Sequence, residues 1–571
     1  MRSKFVVRAR ILSGLLILLA LLLVTRLYFL QIVQGDKYRE NAAAQYVVEH
    51  DSNVIDRGAI FFTHRDQTPV AAAVMQTGWK IAIVPDDLEG AEATYDALAS
   101  VTAVDRERFF ASAVKNGDPY EEVAFRLSEE EASQVRAKKL PGVSLVRDKW
   151  RYYPGDELAA QVLGFVGFRA DKRIGVYGLE RQWEDTLTRT STGLYVNPFA
   201  EIFTNLGAVF AADPKETQGD IVMTIEPSVE TRLEETLEEI MRTYSARMAG
   251  GIVMDPKTGA IRAMATRPAF NPNTYNTVED PGLYTNLLVE GIYEMGSIMK
   301  PLTVAAGIDS GAITPQSMYT DRGCIEKSGK TICNYDKKAR GRVDMQEVLS
   351  RSLNVGIAHI VDTMGGKTFA QYVHAYDLGN VTNIGLPNEV AGNIRSVDSG
   401  YDVDYASAGF GQGIAVSPIG ITRALAALAN GGVLPNPHIV TEVKLENGIS
   451  RSVVPGEGVR VLKPETAQTV TDMLVKVYDT ALLEGVLKQE HYSIAAKTGT
   501  AQIAVPGGSG YYPDRYLHSF FGYFPAHDPK FIVFLFVIEP KGVEYASASL
   551  ARPFLDIAKH LINYYNIPPD R

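Results

Sequence analysis

The sequence predicts an α+β protein in three parts: a single N-terminal transmembrane helix, a mixed α/β pedestal domain, and a larger domain. In the larger domain an antiparallel sheet is covered by helices and joined by an all-helical part. Three observations carry this reading. At 571 residues the chain is too long for one hydrophobic core. One apolar run near the N-terminus, flanked by basic residues, has the length of a membrane span. Near the C-terminus, three adjacent strand patterns end in a helical one, the order of a sheet covered by helices.

Arg2, Lys4, Arg8 and Arg10 make residues 1–10 a cytoplasmic tail. The apolar stretch Ile11 to Val24 resumes after Thr25 and Arg26 as Leu27 to Leu30. With Arg26 snorkelling to the interface, residues 11–32 supply the roughly 20 residues a bilayer requires. The basic flank holds the N-terminus in the cytoplasm and sends the rest of the chain outside, which places the protein in the plasma membrane as a single-pass anchor. A cleaved signal peptide is the rival, since Ala42 to Ala44 resembles a cleavage site. Asp36, Lys37, Arg39 and Glu40 separate it from the apolar run, which favours an uncleaved anchor.

Residues 33–215 read as the pedestal. Short strands such as Gly78 to Val84 alternate with charged helices such as Ser128 to Arg136, with Ser128 as N-cap, and loops are marked at Tyr153 to Gly155 and Ser191 to Gly193. The nine histidines are scattered and no His-Glu-x-x-His is present, so no metal constellation supports a second enzyme here. A spacer or a partner-binding surface remains. The formal charge of −10, with no long basic run beyond the N-terminus, argues against a nucleic-acid partner.

The larger domain is expected over 216–571. Ile221 to Ile225 is a strand, and Ser228 begins an acidic amphipathic helix to about Thr243. Two strands, Gly250 to Asp255 and Ile261 to Ala265, flank a turn at Asp255-Pro-Lys-Thr-Gly259. Next comes Glu294 to Thr303, where Ser297 and Lys300 stand three apart at a helix start that Pro301 fixes nearby. The i,i+3 spacing puts the Lys300 amine beside the Ser297 hydroxyl. A serine needs a base to become a nucleophile, and a lysine serves when desolvation or nearby positive charge lowers its pKa.

Ser-x-x-Lys alone is weak, since Ser112 and Lys115 repeat it. Order and company decide: downstream of Ser297 stand Ser352-Leu-Asn354, the one Ser-x-Asn in the sequence, and then Lys497-Thr498-Gly499-Thr500 inside an apolar run, and nothing comparable is arranged around Ser112. The earlier Lys257-Thr-Gly259 lies in the hairpin turn and precedes the nucleophile, which makes it structural. Met345 to Met364 has helical spacing and carries Ser352 and Asn354 near its start. Phe410 to Pro418 is a glycine-rich loop without the lysine of a phosphate loop, and it leads into a helix from Ile419 to Asn430. Ser493 to Ala504 reads as a strand whose Gly499 admits a substrate backbone. Ser519 to Phe524 and Phe531 to Ile538 form a hairpin around His527 to Pro529, and Leu550 to Tyr565 is the closing helix.

The two cysteines, Cys324 and Cys333, flank a two-residue Ser328-Gly329 turn. Counting outward from the pair Lys327 and Lys330 sets them opposite each other at a non-hydrogen-bonded position, where Cα atoms are closest. A disulfide and two reduced thiols are both open there.

The order Ser-x-x-Lys, Ser-x-Asn, Lys-Thr-Gly is the signature of penicillin-binding proteins and serine β-lactamases. Over nearly its whole length the chain resembles the class B penicillin-binding proteins, the monofunctional transpeptidases. Arg57-Gly58, Gly178-Leu-Glu180, Asp255-Pro-x-Thr-Gly259 and Gly411-Gln-Gly413 match further blocks of that family. Met299 departs from a common aromatic, and Leu353 is bulkier than the usual small residue.

The resemblance implies a penicillin-binding transpeptidase domain over 216–571, a dimerisation-type pedestal over 33–215, and no cofactor or metal. Ser297 would attack the penultimate D-Ala of a peptidoglycan stem peptide, Lys300 would be the base, and Ser352 would relay the proton. Asn354 would hold the peptide amide, the backbone N–H groups of Ser297 and Thr500 would form an oxyanion hole, and Lys497 would keep Lys300 neutral. Thr498 and Thr500 would bind the substrate carboxylate beside Gly499, and β-lactams would acylate Ser297. Membrane morphogenesis or divisome proteins, including a glycosyltransferase, are the implied partners, in division or elongation. Two other readings use the same motifs: a carboxypeptidase or β-lactamase-like hydrolase, and a non-catalytic scaffold or β-lactam sensor.

Overall fold

Five strands, antiparallel throughout, form the sheet that carries the Lys497 motif along one edge. They are β1 (Met248–Met254), β2 (Ile261–Arg267), β3 (Ala495–Ala504), β4 (Tyr511–Phe524) and β5 (Phe531–Ile538), in the order β3-β4-β5-β1-β2. The sequence of β5, Phe-Ile-Val-Phe-Leu-Phe-Val-Ile, is buried at every position, because the sheet is covered on both faces and β5 lies at its centre. This is a computed structural model; it describes residues 56–169, 172–189, 217–505, 507 and 510–571, with Leu19, Leu21, Leu22, Thr25 and Arg26 also helical.

Two helices cover one face. In α1 (Pro227–Tyr244) the Glu226 side chain accepts from Val229 N and Pro227 occupies the first turn. Its Leu233 and Leu237 share a core with Phe520 and Val533 of the sheet and with Phe554 of α4 (Ala546–Tyr565). The other face meets the all-helical part. There α2 (Lys300–Asp309) packs against α3 (Asn354–Met364) and against the fully buried helix Pro418–Ala429. That helix is rich in Ala, Ile and Leu on every side, as a central helix must be.

A second sheet has seven strands. Ile60–Thr63, Pro69–Ile83, Glu121–Leu127 and Val143–Tyr152 of the pedestal join Gly219–Met223, Val440–Leu445 and Ser450–Ser452. Ile60 pairs with Ile221 in parallel register, so this sheet runs across the division expected at residues 215 and 216. Beyond it the pedestal has a small core of its own, with Ile81, Leu98, Phe109, Leu127 and Val135 buried together. The Ser128 cap is a full capping box with Glu131.

Among the described residues no helix is long and apolar enough to cross a membrane. The anchor expected over 11–32 lies outside the described residues except at the positions named above, as does the loop expected at Ser191 to Gly193. One expectation is corrected: Met345 to Met364 is two helices, Met345–Ser350 and Asn354–Met364, because Ser352 between them takes a left-handed φ of +55°. The Cys324–Lys327 and Lys330–Cys333 strands pair in the anticipated register, and the two cysteines are bonded with Cα atoms 4.1 Å apart.

Candidate active site

The turn bearing Ser297 is shaped by its flanking residues. Gly296 has φ +61°, and a Cβ there would stand 2.9 Å from Thr500 O, so glycine lets the turn press against β3. Ser297 follows in one 3-10 turn, Gly296–Met299, and α2 begins at Lys300 with Pro301 in its first turn. Gly296 N donates to Gly411 O at 3.0 Å, and Ser519 Oγ of β4 donates to Met295 O at 2.8 Å. The serine is braced from both sides before any ligand arrives.

Lys300 lies fully buried behind Ser297. Its amine nitrogen lies 2.6 Å from Ser352 O, 2.7 Å from Asn354 Oδ1 and 3.1 Å from Ser352 Oγ. Among the described residues no hydrogen bond joins it to Ser297 Oγ. The i,i+3 spacing brought the two groups to one face, and Ser352 and Asn354 then drew the amine toward α3. Burial first, and the neighbouring Lys497 amine second, hold Lys300 well below the usual lysine range. The expected contribution of Lys497 is present, with desolvation the larger cause.

A neutral amine has two hydrogens and one lone pair. Ser352 O and Asn354 Oδ1 only accept, so both hydrogens are directed to them. The lone pair of the neutral amine then faces the Ser352 hydroxyl at 3.1 Å.

Ser352 Oγ is shared, because the Lys497 amine also reaches it at 3.1 Å while donating to Thr498 O at 3.0 Å. Lys497 is buried with no carboxylate beside its amine among the described residues, and burial brings it down to about 7. Asn354 is held at both ends: Nδ2 donates to Cys333 O at 2.9 Å while Oδ1 accepts from Lys300. The side chain expected to hold a substrate amide also ties Lys300 to the disulfide hairpin. Next to it, Asn334 Oδ1 accepts from Val355 N at 3.1 Å in the first turn of α3. Asp321 accepts the Asn334 amide through both oxygens at 3.0 Å.

Ser297, Ser352, Asn354, Lys497, Thr498 and Thr500 line one cavity of about 1300 Å³. Gly499 is buried beside it. An added Cβ there would meet Ser519 Oγ at 2.4 Å and Met295 O at 2.6 Å, so glycine at this position admits the close approach of the Ser297 turn and of β4. The other Ser-x-x-Lys is inert: Ser112 Oγ donates to Glu121 at 2.7 Å and Lys115 pairs with the same carboxylate. Lys257 to Gly259 forms the turn between β1 and β2, with Gly259 N donating to Asp255 O at 2.9 Å. Ser519, Asn334 and Asp321 escaped the sequence reading. For Ser519 a signal existed, since a serine heading the apolar run Phe520 to Phe524 of a covered strand needs a partner.

The model of the penicillin-binding protein transpeptidase domain matches residues 249–562, more than half of the chain, and that of the penicillin-binding protein dimerisation domain matches 55–197. The chain belongs to the class B penicillin-binding proteins. Stage V sporulation protein D of Bacillus subtilis strain 168 is 28% identical to it over 573 residues, covering 97% of this chain and 85% of that protein. Peptidoglycan D,D-transpeptidase FtsI of Escherichia coli K12 is 24% identical over 580 residues, covering 99% and 92%. Penicillin binding protein 2X from Streptococcus thermophilus has the same fold, with a TM-score of 0.71 at 22% identity over 90% of this chain and 81% of that one. Penicillin binding protein 3 from Mycobacterium tuberculosis, complexed with aztreonam, gives 0.68 at 22% identity over 91% and 98%. In this penicillin-binding protein both family models fall within stretches read as pedestal and catalytic domain.

Proposed function

We propose that this penicillin-binding protein cross-links peptidoglycan stem peptides through an acyl-enzyme on Ser297, and that β-lactams acylate the same oxygen. The observation that carries this is the Lys300 amine: buried, held well below the usual lysine range, and in hydrogen-bond contact with Ser352 O, Asn354 Oδ1 and Ser352 Oγ one helical turn from Ser297.

Ser297 Oγ attacks the carbonyl carbon of the penultimate D-Ala and its proton passes to Lys300 Nζ. The backbone N–H groups of Ser297 and Thr500 receive the developing oxyanion, each worth about 3 kcal/mol of barrier. Ser352 hands a proton to the departing amine of the terminal D-Ala and takes one from Lys300, so the C–N bond breaks and the ester remains. The acceptor amine of a second stem peptide then attacks the ester. Its proton returns by the same path and Ser297 is regenerated. Thr498, Thr500 and the Lys497 amine face the substrate's terminal carboxylate, and Asn354 orients Lys300.

The basic flank and apolar run at the N-terminus support a single-pass anchor with the catalytic part outside the plasma membrane. Division into a pedestal over 33–215 and a catalytic domain over 216–571 follows the change of sequence texture. On that arrangement the pedestal meets membrane partners of the division or elongation machinery, including a glycosyltransferase. Replacing Ser297 by Ala is expected to abolish labelling by fluorescent penicillin, and persistent labelling of that variant would sink the assignment. A penicilloyl-enzyme that survives for many turnovers' worth of time separates a transpeptidase from a β-lactamase.

A further inference from the structure

His518 is fully buried and takes no part in the steps above, yet it lies on β4 directly across from Thr500. Both ring nitrogens grip one short segment of chain. Nε2 is 3.1 Å from Glu544 O, an oxygen that only accepts, so Nε2 carries the hydrogen. Nδ1 is then an acceptor and receives the Ser549 hydroxyl at 2.8 Å. Burial holds the imidazole down at about 4, which keeps this neutral tautomer at neutral pH.

Glu544 and Ser549 bracket the start of α4, and the first residue of that helix completes the circuit. Ala546 N donates to Thr500 Oγ1 at 3.1 Å. A hydroxyl has one hydrogen and two lone pairs, and this bond fills a lone pair from behind. The Thr500 hydrogen is left for the cavity that the side chain lines.

We infer that His518 is a positioning residue for the carboxylate subsite. By holding Glu544 and Ser549 it sets the Ala546 amide on Thr500 Oγ1, and so presents the Thr500 hydrogen to the terminal carboxylate of a stem peptide or β-lactam. This rests on the reading of Thr500 as a carboxylate ligand in the proposed function.

The test compares acylation rates of the full-length protein by a fluorescent penicillin and by its methyl ester, in wild type, His518→Ala and Ser549→Ala. Loss of one hydrogen bond to a charged group predicts about a tenfold slower reaction with the free acid in both variants. With the ester, which lacks the charge, variants and wild type react within about twofold of one another. Equal slowing on both ligands, or no slowing on the acid, overturns the inference. Ser549→Ala leaves the imidazole packed in place, so it decides the matter if His518→Ala does not fold. Wild type that the free acid fails to acylate at Ser297 would overturn the proposed function itself, a result distinct from any pattern among the variants.

Discussion

Arg57 and Arg151 in the pedestal, and Lys300 and Lys497 in the cleft, are two pairs of cations taken out of water to the same degree and treated in opposite ways. The arginines are 4% and 5% exposed, the lysines 0% and 3%. Between the arginines stands Glu180, itself fully buried, accepting from Arg57 Nε at 2.6 Å, from Arg151 Nε at 2.6 Å and from Tyr153 OH at 3.2 Å. Burial opposes the charges there, but the fields of Arg151 and Arg57 overcome it and hold the Glu180 carboxyl below its usual range, while Arg57 is pushed up. Between the lysines stands Ser352 Oγ, which has no charge to offer. Burial then goes unopposed and both amines fall. The partner's charge, and not burial, decides whether a cation becomes a fixed strut or a base. The residue types fit: arginine cannot shed its proton in a protein, and lysine can.

The largest effect expected breaks the cleft half of the comparison. Lys300→Met removes the base and should slow acylation by about 10³-fold, ~4 kcal/mol of barrier. Its thermal stability should hold or rise, because a buried amine without a counter-charge is replaced by an apolar chain of similar length. An acylation assay run beside a melting curve checks both. In the pedestal the pattern reverses. Glu180→Gln leaves the buried Arg151 guanidinium without its carboxylate and Arg57 leaning on Glu184 at 2.7 Å, and should cost about 3 kcal/mol of stability, read from denaturant midpoints, with acylation per folded molecule unchanged.

A third substitution gives the cleft what the pedestal has. Asn354→Asp places a carboxylate where Oδ1 now lies 2.7 Å from the Lys300 amine. Lys300 then gains a counter-charge and its pKa rises, so the protonated, useless form dominates at neutral pH. Acylation should fall about 10²-fold at neutral pH and recover as pH is raised. A rate that stays low at high pH would point to lost geometry and against the charge argument.

Both regions were partly legible in the sequence, and for different reasons. The three cleft motifs are short strings whose order carried the chemistry, and the opposition of Cys324 and Cys333 followed from counting outward from a two-residue turn. Arg57 and Glu180 were visible only as family blocks. Nothing local joins residues 123 apart, and their partners Arg151 and Tyr153 carried no signal at all. Ser352 misled for a physical reason. Met345 to Met364 keeps helical spacing across the break, and a left-handed serine leaves no mark in a pattern of apolar residues. The engagement of Asn354 by Lys300 and Cys333 was equally hidden, since it depends on a hairpin and two helices meeting. The seven-stranded sheet was missed because Val440–Leu445 returns to Gly219–Met223 from a distant part of the chain.

The smallest effect expected tests whether the cleft's missing counter-charge costs stability. Lys497 has a usual value of 10.5 and is brought to about 7 in the fold. Between those values the unfolded chain binds a proton that the folded chain does not, so stability rises with pH across this window and levels off below it. The rise is at most about 1.4 kcal/mol per pH unit for one group. Lys300 contributes in the same direction in wild type and variant alike, so the informative quantity is their difference. From about pH 7.5 to 9.5, wild type should gain about 2 kcal/mol over Lys497→Met in urea-derived stability. Parallel profiles would mean that Lys497 keeps its charge in the folded cleft. The cleft lysine would then be compensated as fully as the pedestal arginines, and the contrast between the two regions would rest on Lys300 alone.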